Sequence, residues 1–195
     1  GFFIGDDKTC FEQAAQLSQR VNFDILDKPI HKIVVFLDPK EYKSTWLGNK
    51  SIYRTRMALA DDGEVVVLAP GVREFGEDRE IDQLIRKYGY RTTPEILNFV
   101  EKQVDLADNL AAAAHLIHGS SENRFKITYC PGLLSEREVT SVNYQYGDLK
   151  KMLKKYPPEK LKQGSQKTAT GEEIYYISNP ALGLWAYRGK LKENR

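Results

Sequence analysis

Trp46, Lys50, Tyr53 and Arg54 recur at i, i+4, i+7 and i+8 in TWLGNKSIYR, so a helix through this stretch presents them on one face. An aromatic wall beside an ammonium and a guanidinium suits an anionic or sugar-acid ligand. The same spacing also describes a solvated basic face with one buried tryptophan. A second candidate is the segment LAPGVREFGED, from Leu68 to Asp78. Here Gly71 and Gly76 permit close backbone approach, Arg73 and Glu74 lie between them, and the following helix offers free N–H groups to an anion. In open α/β sheets ligands sit beyond the carboxyl ends of strands, where this segment falls. It matches neither GxGxxG nor the phosphate-loop pattern, and a tight connection seating a helix describes it equally.

Other reactive side chains are sparse. His115 and His118, at i and i+3, share a helix face, but no further Cys, His or carboxylate stands at a supporting metal-ligand spacing. The helix-end reading is that His118 favours the carbonyl-rich terminus. His31 opens a strand and reads as structural. Cys130 follows a strand and precedes Pro-Gly, a position open to a nucleophile, but a lone Cys without an evident base reads as packing. Ser120-Ser121 lies in HGSSEN, which lacks the GxSxG elbow of acyl-transfer enzymes.

Helix and strand patterns alternate around these residues. Cys10 to Val21 carries apolar residues at helical spacing, with Thr9 and Glu12 as a capping box. IHKIVVFL (Ile30 to Leu37) and EVVVLA (Glu64 to Ala69) are continuous apolar runs, the pattern of strands covered on both faces. Between them Glu41 to Ala60 reads as helical, broken at Gly48-Asn49, with Asp61-Asp62-Gly63 as a turn. Helices are expected over Asp78 to Tyr88, from a Thr93 cap to about Gln103, and over Asp108 to His118. RFKITYC (Arg124 to Cys130) is a further strand, followed by a helical turn at Ser135 to Val139 and an extended Val142 to Tyr146. A basic amphipathic helix spans Asp148 to Tyr156, Pro157 to Thr170 is polar and irregular, and EEIYYI (Glu172 to Ile177) is a late strand. Trp185 and Tyr187 finish this core or lie under an interface. The pattern predicts an α/β fold: an open, mostly parallel sheet with helices on both faces, three-layered and Rossmann-like.

Composition sets the limits. The 195 residues suit one domain with a small appendage; 41% are hydrophobic and 29% charged, and the net charge of +2 calls for neither nucleic acid nor an anionic membrane. Two cysteines make no disulfide framework, and no apolar run approaches the ~20 residues that span a bilayer, so a cytoplasmic location is expected. Gly1 in place of Met is expected of a piece of something longer.

FEQAAQLSQRVNFDI, then IHKIVVFLDP, WLGNK and MALADDGEVVVLAPGVREFG run in an order that resembles the carboxy-terminal half of the nickel-dependent lactate racemase family, from about Phe2 to about Asp148. The resemblance implies that Lys50 faces the substrate carboxylate at a domain cleft and that Trp46 takes the family's aromatic place beside it. It also implies hydride abstraction onto a nickel-pincer nucleotide, whose anchoring lysine and histidines lie in an N-terminal catalytic domain. Nothing here matches that histidine-rich stretch, so the resemblance implies a partner domain with no catalytic residue and no metal ligand of its own. Where the family has Gln beside the aromatic, Leu47 stands here, and the later site aromatic near Asn109 has no counterpart. These departures point to a hydroxy acid or sugar acid other than lactate.

The expectation is therefore the substrate-cleft domain of a racemase or epimerase, residues 1–156, with 157–195 packing on it or on the missing N-terminal domain. A stand-alone Rossmann-like small-molecule binding module without catalysis is the alternative. An interaction domain using the basic helix from Asp148 to Lys155 is the weaker one.

Overall fold

The computed structural model describes residues 1–193. The chain opens with helix α1 (Lys8–Asn22), strand β1 (Phe23–Leu26) and strand β2 (Ile30–Phe36). Two single-turn helices, α2 (Thr45–Gly48) and α3 (Lys50–Tyr53), lead to the long strand β3 (Leu59–Ala69). Helices α4 (Arg79–Tyr88), α5 (Thr93–Lys102), α6 (Val104–Ala107) and α7 (Leu110–His118) precede β4 (Lys126–Pro131). Then come α8 (Glu136–Ser141), β5 (Gln145–Tyr146), α9 (Leu149–Lys155), β6 (Gly164–Lys167), β7 (Glu173–Ile177), β8 (Leu184–Tyr187) and α10 (Arg188–Glu193).

Six strands form one sheet in the order β5-β4-β3-β2-β7-β6, parallel except at β6, which pairs antiparallel to β7. This is the expected open, mostly parallel, Rossmann-like sheet with helices on both faces. Central strands need apolar residues on both sides, and the runs in β2 and β3 supply them. Ile33, Val35, Leu37, Val65 and Val67 join the large core on one face, with α4 to α8 above it. Val34, Val66 and Leu68 enter a smaller core closed by α9. The polar stretch 157–170 contains β6, and β7 pairs with β2, so residues 164–177 complete the main sheet. β1 and β8 form a separate two-stranded parallel ribbon.

The termini of the elements differ from expectation where a better hydrogen-bond acceptor was at hand. α1 begins at Lys8, because Asp7 rather than Thr9 caps it, its carboxylate accepting the Cys10 N–H at 2.8 Å. Thr92, not Thr93, caps α5; its own N–H and hydroxyl both donate to Glu95. The helix expected across Glu41 to Ala60 is reduced to two turns meeting at Asn49. A Cβ at Gly48 would lie 2.9 Å from the Tyr129 hydroxyl and 3.0 Å from Leu37, so the chain is pressed directly onto the sheet there. Asp61-Asp62-Gly63 is not a turn between elements but an irregularity within β3. The β2–β3 register shifts between Ile30 and Lys32, Asp62 takes φ 62°, and Gly63 packs against the carbonyls of Ala60 and His31.

Candidate functional site

The helix expected through Trp46 to Arg54 is broken at Asn49. α2–α3 and α7 both run toward β-strands that follow them, and they lie side by side. Trp46 packs on His115, ring centroids 4.7 Å apart, and seven residues later Tyr53 packs on His118 at 5.3 Å. The i, i+7 spacing of one pair of helical turns thus meets the i, i+3 spacing of one helix. Lys50, between Trp46 and Tyr53 in the sequence, is partly exposed, and its ammonium has no ion-pair partner among the described residues. Trp46 and Tyr53 thus both lie against α7.

Arg54 keeps its guanidinium over the Tyr53 ring, 5.9 Å from the centroid, while its Nη1 donates to the carbonyls of Ala181 and Gly183 at 3.0 and 3.1 Å. It is what fastens the tail: the Trp185 N–H donates to the Arg54 carbonyl, Met57 bridges to Ala186, and Trp185 is buried in the large core.

The loop after β3 is packed protein rather than open space. A Cβ at Gly71 would lie 2.7 Å from the Pro39 backbone, and one at Gly76 would lie 2.2 Å from the Asp82 nitrogen. Asp82 accepts from the N–H groups of Phe75 (2.7 Å) and Gly76 (3.2 Å) and binds Arg86. Burial alone would raise this carboxyl; those bonds outweigh it and lower the pKa. Arg73 and Glu74 point outward, paired with each other at 3.4 Å. The backbone of the loop carries α2: the N–H groups of Thr45 and Trp46 donate to the carbonyls of Glu74 and Phe75. The crevice between the carboxyl ends of β2 and β7, where the strand order reverses, is bridged by Tyr42 donating to Asn179 at 3.1 Å.

Behind Trp46 lies a buried polar cluster that the sequence did not announce. Thr45 and Asn49 on α2 and its C-cap, with Tyr90, His115 and Tyr144, come from four separate segments, and Tyr90 and Tyr144 stack with centroids 4.4 Å apart. Burial, and then the nearby His118, pull the His115 pKa down to about 3, so its imidazole is neutral at ordinary pH. His118 is lowered by burial and then by the charge of Arg56. The histidine spacing was visible in the sequence; the tyrosines that join it had no local signal. Cys130 is fully buried, and burial, followed by the charges of Glu64 and Asp148, pushes its thiol up to about 12, the behaviour of a packing residue.

No family model matches the chain, and no curated protein matches it. Its fold does match solved structures. A protein from Thermotoga maritima superposes with a TM-score of 0.68 at 20% identity, covering 92% of this chain and 42% of that one. The lactate racemase apoprotein from Thermoanaerobacterium thermosaccharolyticum superposes with a TM-score of 0.57 at 10% identity, covering 91% of this chain and 40% of that one. At these identities the likeness is one of fold. The chain spans about two fifths of either protein, so in both this architecture is one part of a longer polypeptide.

Proposed function

We propose that this chain is the carboxy-terminal, substrate-cleft domain of a racemase or epimerase acting on a 2-hydroxy acid or sugar acid, incomplete without an N-terminal catalytic domain. The observation that carries this is Lys50, a partly exposed lysine without an ion-pair partner among the described residues, on the segment whose Trp46 and Tyr53 rings pack on α7, in a fold shared with a lactate racemase apoprotein. Lys50 pairs with the substrate carboxylate, Trp46 and Tyr53 wall the ligand, and Gly71, Arg73, Glu74 and Gly76 form the loop that seats α2. Arg54 acts one step back, by fixing the tail against α3.

Among the described residues no three His, Cys, Asp or Glu side chains converge on a metal-sized site. The residues present thus do not fit a nickel-pincer nucleotide by themselves, and on this reading the N-terminal domain holds that group. Lys50→Ala in the full-length protein is expected to lower kcat/KM for isomerisation about 100-fold, the scale of a lost desolvated charge pair. Unchanged kinetics would remove Lys50 from the site and the reading with it.

A second reading, a stand-alone module that binds a small molecule without catalysis, is favoured by one observation. A cleft of about 460 Å³ opens at the opposite, amino end of the sheet, floored by Pro29, Ile30 and Ile174 and edged by Lys28 and Lys167. Calorimetric titration with small carboxylic acids tests it: saturable binding that Lys28→Ala weakens and Lys50→Ala does not would put the ligand there.

A further inference from the structure

β2 and β7 part company before they end. β2 begins at Ile30 and β7 at Glu173, but the ladder between them runs only from Ile33–Tyr175 to Val35–Ile177. Toward the amino end the cleft of about 460 Å³ opens between them, with Lys28 to Lys32 on one wall and the end of the β6–β7 hairpin on the other. Where the ladder stops, the sheet no longer separates the two cores. The floor therefore takes Ile30, which packs against the large core, and Ile174, a 4% exposed member of the smaller one. Hydrogen bonds fix both walls. The Ile30 N–H donates to the Ala58 carbonyl at 2.8 Å, and the Thr168 N–H donates to the Glu172 carbonyl at 2.9 Å across the hairpin. Lys32 ties one wall to the other through Glu172 at 2.7 Å. A preformed cleft of this size with an apolar floor is the usual form of a small-molecule site.

The charges that line the cleft do not cancel. Lys32 holds Glu64 at 2.9 Å and Glu172 at 2.7 Å, so it offers its stem and not its ammonium. Lys167 and Glu173 meet at 3.4 Å with side chains 68% and 80% exposed, a pair that neutralises itself in water. Lys28 is left over: it is exposed and has no ion-pair partner among the described residues. The side chains of His31 and Ser165, both exposed, make no hydrogen bond among the described residues, whereas the Gln166 amide is taken up by the Lys162 backbone. The cleft thus combines an apolar floor with one uncompensated cation and two unengaged hydrogen-bonding groups.

We infer that this cleft binds a monocarboxylate with an extended apolar tail, the tail lying on Pro29, Ile30 and Ile174 and the carboxylate at Lys28. The inference rests on the second reading of function for the place and adds the class of ligand. It separates the cleft from the Lys50 face, because a short hydroxy acid has little apolar surface to lay on such a floor. Lys50 is not among the residues that line the cleft, so a ligand in one place does not displace a ligand in the other.

The test is calorimetric titration of the full-length protein with butanoate, hexanoate and octanoate, and with octan-1-ol as the uncharged counterpart of the last. Affinity should rise about three- to four-fold for each added methylene. Octan-1-ol should bind several-fold more weakly than octanoate, a difference that salt removes. Lys28→Glu, at an exposed position, should weaken octanoate about ten-fold and leave octan-1-ol unchanged. Ser165→Trp, which adds bulk at another exposed position of the cleft, should weaken both, and Lys50→Ala should weaken neither. Equal affinities along the acid series, with Lys28→Glu still costing binding, keep a ligand in the cleft and overturn its class alone. Chain-length dependence untouched by Lys28→Glu and Ser165→Trp is adsorption elsewhere on the surface and overturns the inference. Loss of octanoate binding in Lys50→Ala, or no saturable binding of any acid, overturns it together with the second reading.

Discussion

The two faces of the sheet hold their polar groups in different ways. On the face under α4 to α8, the fully buried polar side chains around Tyr90 are uncharged, and Thr45 and Tyr144 donate to backbone carbonyls. On the face under α9 they are ionic. Lys32 reaches Glu64 at 2.9 Å and Glu172 at 2.7 Å, Lys155 reaches Glu172 at 3.0 Å, and the Tyr156 and Thr128 hydroxyls donate to Glu172 and Glu64. The first face is thick, and the ionic group of Arg86 with Asp82 and Glu138 lies at the outer side of α4 and α8. The second has one short helix for cover, so its charges keep part of their hydration and are stabilised by several partners each. Neutral chains fix orientation; ionic ones fix the helix to the sheet.

The largest expected effect lies on the thick face. Phe75→Ala removes a fully buried ring and should destabilise by about 3–5 kcal/mol in urea denaturation. A cost below about 1 kcal/mol would mean the large core is not what holds the sheet.

Acid should then separate the faces by pH window. His115 has a folded pKa of about 3 against an ordinary 6.5, so the unfolded chain takes up its proton first. Stability is full above pH 6.5 and falls by up to about 1.4 kcal/mol per pH unit as pH drops toward 3. His118 adds to this in the same direction. Burial would raise Glu172, but hydrogen bonds from Lys32, Lys155 and Tyr156 reverse that and bring it to about 2, so its contribution is lost only from about pH 4.5 downward. His115→Gln should flatten the stability curve between pH 6.5 and 4.5 and leave the lower window. An unchanged slope would show that His115 is not the neutral, buried group described.

Lys32→Met tests the other face. It leaves Glu64 and Glu172 without their shared cation and should cost about 2 kcal/mol, steepening with pH above 4.5 as both carboxylates ionise. An insignificant cost would make the ionic cluster a surface feature.

These differences also explain what could be read in the chain itself. β2 and β3 were evident because a strand covered on both sides must be apolar throughout. The common side taken by Trp46 and Tyr53, both against α7, was legible because helical spacing survives a one-residue break. β6 was missed because GSQK is polar, as an edge strand with two half-exposed faces is free to be. β1 and β8 were missed because each is four residues long and its partner is about 160 positions away, beyond any local pattern. The Tyr90–His115 contact escaped for the same reason, since 25 residues and two helices separate them. What sequence periodicity conveys is which face of an element is covered, and Arg54 shows its limit: spacing put it near Tyr53 but gave no sign of the carbonyls 127 and 129 residues away to which it donates.

The strand order has a consequence for how the chain is made. β2 is made well before β7, yet β7 is one of its two neighbours, with Ile33 beside Tyr175. Until the ribosome has released residues 173–177, β2 presents an open edge of Ile, Val and Phe to whatever else is in the cell. Pairing across so long a loop is also slow to nucleate. This domain is therefore expected to wait, half-zipped on β3 and β4, for β7, and to depend on chaperones during that interval more than a domain closed in sequence order would.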